Sequence, residues 1–60
     1  MEKKYRAIFD DGHNFGEFEF YSKHRAKSKD HLEDAKNEFI KKFGVKRYNQ
    51  IRIVDTWRVD

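Results

Sequence analysis

The dipeptide Asp11-Gly12 limits what this chain can fold into more than any other feature. It stands between two runs of alternating apolar and polar residues. A two-residue type I′ turn needs positive φ at both central positions, and Asp-Gly supplies it. Residues 3–21 therefore read as a β-hairpin. With that turn, Asp10 faces His13, Tyr5 faces Phe18 and Lys3 faces Phe20, while Ala7 and Phe9 complete one largely apolar face. The reverse face sets Lys4 against Glu19, Arg6 against Glu17 and Ile8 against Phe15, and opposite charges across a ladder support it. A four-residue loop would set Ile8 against Glu17 and Lys4 against Tyr21, losing one charge pair. The two-residue turn is the expectation.

The next signal is helical and covers residues 28–43. Ser28 is the expected N-cap, and Asp30, Glu33 and Asp34 bring acids to the opening turns, where the helix dipole favours them. Leu32, Ala35, Phe39, Ile40 and Phe43 form one helical stripe, the surface expected to meet the sheet. Gly44 suits the left-handed residue that ends a helix. Ser22 is a rival N-cap, but residues 22–27 have no apolar period beyond Ala26. Val45 to Gln50 reads as a polar connection. Residues 51–59 read as a third strand, with Ile51, Ile53, Trp57 and Val59 on one face and Arg52, Val54, Thr56 and Arg58 on the other. Asp55 interrupts the apolar face, which points to a β-bulge near Val54-Asp55.

These elements give an α+β fold in ββαβ order, residues 1–60 forming a single compact domain. The helix covers the apolar face of the hairpin. Strand three is expected to pair antiparallel with strand one, giving order 2-1-3, and the competing topology runs it parallel to strand two through a right-handed crossover. At 60 residues the chain buries only about 60% of the surface it exposes when unfolded. It has no Cys for a disulfide or thiolate metal site, so six Phe, three Tyr and one Trp must supply the core. No apolar run reaches the length of a membrane span, and Met1-Glu2-Lys3-Lys4 leads into a strand, not a signal sequence. A cytoplasmic location without membrane attachment is expected.

Fourteen Lys and Arg against eleven acids leave a net charge of +3, so distribution matters more than total. Asp10 to Glu19 carries four acids and no Lys or Arg. Ser22 to Lys29 carries four Lys and Arg, one His and no acid. Cations before a helix N-terminus oppose its dipole, so folding alone gives little reason to gather them there. An anionic partner does. Lys23, His24, Arg25, Lys27, Ser28 and Lys29 are the candidate phosphate contacts. Lys41, Lys42, Lys46 and Arg47 form a second cluster, which also suits a helix C-terminus. The open sheet face offers Lys4, Arg6, Phe15, Tyr21, Arg52 and Arg58, a mixture of cations and aromatics on which single-stranded nucleic acid stacks. Glu17 and Glu19 share that face and oppose phosphate, which favours a protein contact there, including a homodimer.

Catalysis has no comparable signal. His13, His24 and His31 lie in three different local settings, and an early helix start would bring only His24, His31 and Asp34 to one face. A metal centre needs three or four supported ligands, so neither metal nor cofactor is expected. The chain reads as a binding module and not as an enzyme.

Ser22-Lys-His-Arg-Ala-Lys-Ser28, followed by Leu32-Glu33-Asp34-Ala35 and Phe39, resembles a pattern in small phage- and prophage-encoded proteins with a hairpin-then-helix layout. The resemblance implies a mobile-element origin and a bacterial cytosol. It brings no activity or site residues. The basic helix opening is also similar to the phosphate-contacting helix start of double-stranded RNA-binding domains. Those domains have an extra N-terminal helix and three consecutive strands before that helix, so only the physical idea carries over. Two functions are expected to compete: electrostatic nucleic-acid binding through the basic loop, and regulation or inhibition of a host protein through the open sheet face.

Overall fold

The computed structural model describes residues 1–60. Strands β1 (Lys3–Asp10) and β2 (Phe15–Ser22) are followed by helix α1 (Lys29–Phe43), the short helix α2 (Val45–Tyr48) and strand β3 (Arg52–Arg58). The sheet is antiparallel throughout, in order β2-β1-β3, so β3 joins β1 as expected. One face carries α1 and the other is open. Tyr5, Ala7 and Phe9 of β1, Phe18 and Phe20 of β2, and Ala35 and Phe39 of α1 form the core. Phe39 is its centre, with ring centroids 5.1 Å from Phe9, 5.4 Å from Phe18 and 4.7 Å from Phe43.

The hairpin corrects the expected register. Tyr5 faces Phe20, Ala7 faces Phe18, Ile8 faces Glu17 and Lys4 faces Tyr21, so the connection is the longer four-residue loop. Three interactions account for the difference. The Asp11 carboxylate accepts from the backbone N–H groups of His13 (2.9 Å) and Asn14 (2.7 Å), and Asp10 accepts from Gly12 at 2.8 Å. These bonds build the loop from Asx turns, with Gly12 supplying the one positive φ, 94°. Next, Phe9 falls opposite Gly16, whose missing Cβ leaves room for the ring. An aromatic ring over a strand glycine restores the packing that the glycine lacks. Finally, the charge pair that seemed forfeited is recovered diagonally. Glu19 meets both Lys4 (3.1 Å) and Arg6 (2.9 Å), and Arg6 reaches Glu17 at 3.9 Å.

Helix α1 follows the expected bounds. The Ser28 side chain accepts from the His31 N–H at 3.2 Å, and Gly44 ends the helix with φ 97°. The buried stripe keeps Ala35 and Phe39 of the expected one but is rotated toward His31. His31, Ala35 and Phe39 face the sheet, while Leu32 and Phe43 remain partly exposed. His31 takes the place expected for Leu32 because the sheet offers its ring polar and aromatic partners. Its Nε2 lies 3.0 Å from Thr56 Oγ1, and its ring sits edge-on to Tyr5 and Phe20 with centroids 4.5 and 5.1 Å away. The connection expected at 45–50 instead forms α2, whose Tyr48 packs against the core.

Strand β3 carries the expected bulge. Ile8 faces Asp55 and Phe9 faces Ile53, so Val54 is the extra residue. Its consequence corrects the expected faces. Beyond the bulge every side chain changes side: Thr56 turns inward opposite Ala7 and is buried, and Trp57 comes out beside Arg6 on the open face. Arg58 leaves the open face. It pairs with Tyr5 across the ladder and holds Asp60 at 2.9 Å.

Candidate nucleic-acid interface

The Ser22–Lys29 loop leaves the end of the sheet where β2 stops, β1 starts and β3 ends. Ser22, the last residue of β2, is buried, and its hydroxyl donates to Asp34 Oδ2 at 2.8 Å while accepting from the His24 N–H at 3.1 Å. His24 Nδ1 bonds the same Asp34 oxygen at 2.9 Å. An ionised carboxylate only accepts, so the Nδ1 proton lies between the two groups. Partial burial works against the charge on Asp34, but the bonds from His24 and Ser22 outweigh it and hold the carboxyl below its ordinary range. One helix carboxylate thus fixes the start of the basic loop.

The loop then turns at Arg25–Ser28, closed by the Ser28 N–H to Arg25 carbonyl bond at 3.0 Å. Lys27 takes the left-handed conformation there, φ 66°, which a non-glycine residue adopts only at a cost. This turn divides the expected phosphate contacts. Lys23, His24 and Arg25, with Lys3 and Ser22, line an open cleft of about 260 Å³ at the sheet end. Lys27 points away and pairs with Asp55 of β3, whose carboxyl is held low by that contact and by the Thr56 N–H. Ser28 is committed as the helix cap. Lys29 opens α1 and is exposed. Lys3, Lys23, Arg25 and Lys29 form no ion pair within the chain, unlike Lys4, Arg6, Lys27, Lys42 and Arg58. Lys3 is the one cleft cation that sequence reasoning missed, because in the hairpin it counted only as a partner for Phe20.

The open sheet face divides by position. Tyr21 and Lys4 lie in one cross-strand row and Arg6 and Trp57 in the next, all at the end nearest the basic loop. Phe15 and Arg52 lie at the far end, in the row of Asp10. Glu19 is held below the ordinary carboxylate range by Arg6 and Lys4, so the near end of this face is close to neutral. The second basic cluster lies at the opposite end of α1, about 22 Å away at 1.5 Å per residue. There Lys42 bonds Glu38 and the Glu19 carbonyl, and Arg47 lies over the Phe43 ring at 5.8 Å.

His31 and Asp34, which the sequence places on one helix face, do not converge on a common point of coordination. His31 is sealed in the core and Asp34 is engaged by Ser22 and His24. No helix is long and apolar enough to cross a membrane. Searches of protein-family models, curated proteins and solved structures return no match for this chain.

Proposed function

We propose that this protein is a non-enzymatic module that binds nucleic acid electrostatically at the corner between β2 and α1. The observation that carries the reading is the cleft lined by Lys3, Lys23, His24 and Arg25. Three of its four basic groups have no acidic partner, and Asp34 beneath them spends its charge on Ser22 and His24. Cations left unpaired around a concave, anion-sized opening suit phosphate. Lys29 extends the contact along the helix start, while Lys27 and Ser28, both engaged within the chain, serve the loop's shape. The phage resemblance, which brings no activity, supports only a bacterial cytosol as the setting.

Anisotropy of a labelled oligonucleotide at low salt tests this. Lys23→Ala/Arg25→Ala should weaken binding at least tenfold with an unchanged circular dichroism spectrum. An affinity that the double change leaves unaltered refutes the assignment. A second reading rests on the exposed Phe15, 68% accessible at the far end of the sheet face: contact with a host protein, or with a second copy of the chain. A defined protein retained from nuclease-treated lysate, and lost with Phe15→Ser, would favour it.

A further inference from the structure

We infer that the nucleic acid is single-stranded, and that Tyr21 and Trp57 on the open sheet face stack on its bases. This rests on the phosphate-binding reading of the cleft and names the strand form that the same site accepts. The β3 bulge is what makes it possible. Without that extra residue Trp57 would lie against α1; with it, the indole emerges beside Arg6 on the open face, 38% exposed. Tyr21, 58% exposed, is the last outward residue before the basic loop. The two rings flank Lys4 and Arg6, about 12 Å apart across two strand spacings and two residues.

The acids of this face already have cationic partners. Glu19 accepts from both Lys4 and Arg6, and Arg6 also reaches Glu17. A strand crossing the near end therefore meets a nearly neutral surface and two aromatic rings. Its backbone then runs over the β2 end into the cleft of Lys3, Lys23 and Arg25. Stacking serves any base, since each has a π face. With a rise of 3.4 Å per stacked nucleotide, about four or five nucleotides cover both rings, and those that follow pass round the β2 end to the cleft on the α1 side.

A duplex cannot use this surface in the same way. Its bases are stacked on one another, out of reach of Tyr21 and Trp57. A three-stranded sheet with side chains is also too broad for a major groove about 12 Å wide, which admits a helix or a two-stranded ribbon. The helix of this protein lies on the other face. Duplex binding would be confined to phosphate contacts at the basic loop.

Trp57 is the only Trp in the chain, so its emission reports this contact alone. Titration of the full chain with dT12, with U12 and with a 12-base-pair duplex at equal nucleotide concentration tests the inference. Both single strands should quench Trp57, and the relative strength of dT12 and U12 tells whether the 2′-hydroxyl contributes. The duplex should leave the emission unchanged. In anisotropy, Tyr21→Ala and Trp57→Phe should each weaken single-strand binding, up to about 100-fold for Tyr21→Ala, and leave duplex binding unaltered. Tyr21 is exposed, so its variant keeps the fold and the test does not rest on Trp57→Phe alone. Equal binding of duplex and single strand with unchanged emission overturns the inference and leaves the cleft reading intact. Binding of neither polymer at low salt overturns both.

Discussion

Replacing Gly16 by Ala tests the hairpin register, which sets Tyr21 in the row of Lys4. A Cβ at residue 16 would lie 2.4, 2.8 and 2.9 Å from three ring atoms of Phe9, far inside contact distance. The ring cannot simply swing aside. It is 7% exposed and wedged among Phe18, Phe39 and Phe43, with centroids 6.0, 5.1 and 6.5 Å away. Overpacking of this kind costs about 1–3 kcal/mol, and removing a strand glycine returns about 0.5–1 kcal/mol. Gly16→Ala should therefore lose up to about 2.5 kcal/mol in urea denaturation followed by circular dichroism. Phe9→Leu shortens the side chain, so the Gly16→Ala penalty should shrink by about 1 kcal/mol in that background. In the two-residue-turn register residue 16 would face Ala7, and the added methyl would be harmless. A stabilising Gly16→Ala, or two losses that simply add, would refute the register and the packing of Phe9 over Gly16 together.

Other consequences follow from single contacts. Burial pushes the His31 imidazole below its ordinary pKa, so the folded state resists the proton that the unfolded chain accepts. His31 therefore makes stability fall with acidification below about pH 6.5, by at most about 1.4 kcal/mol per pH unit; denaturation at pH 7, 6 and 5 should show this slope, and His31→Leu should flatten it. Ser28→Ala removes the cap from the His31 N–H and should cost about 1 kcal/mol, with Ser28→Asp restoring most of it by the same assay. Phe39→Ala empties the centre of the core and should cost about 3–5 kcal/mol, enough to leave so small a domain largely unfolded by circular dichroism at 25 °C; a cooperative wild-type-like transition would contradict that placement.

The features legible in the sequence are those whose causes are local. Ser28, Asp30 and Gly44 act within one turn of the helix ends, and they fix α1 without reference to the sheet. The order β2-β1-β3 is the simpler of the two topologies that cover one apolar face with one helix. The hairpin register was harder because the two alternatives differ by two residues and leave every side chain on the same face. What separates them is tertiary or side-chain detail: Phe9 over Gly16, the Asp10 and Asp11 bonds to the loop backbone, and the reach of Lys4 and Arg6 along the ladder. The bulge at Val54 was legible from the misplaced Asp55, yet its effect on Trp57 requires knowing which side of the bulge sets the phase. His31 was hidden for a related reason. A histidine beside a leucine reads as the exposed member of the pair, and only Thr56, turned inward by the bulge, supplies the partner that lets it be buried.

At the basic loop, composition marked the right segment without resolving its parts. Lys23, Arg25 and Lys27 are indistinguishable as charges in a row, and the turn at Lys27 sends the last of them to Asp55. Lys3 joins the cleft only because β1 starts where β2 ends.

The salt dependence of oligonucleotide binding is the sharpest test of phosphate binding in the cleft. Each phosphate neutralised on a single strand contributes about −0.7 to the slope of log K against log salt concentration. With Lys3, Lys23, Arg25 and Lys29 engaged, the slope should be about −2.8 and rise to about −1.4 in Lys23→Ala/Arg25→Ala. A slope near zero, or one that the double change leaves unaltered, would contradict the account.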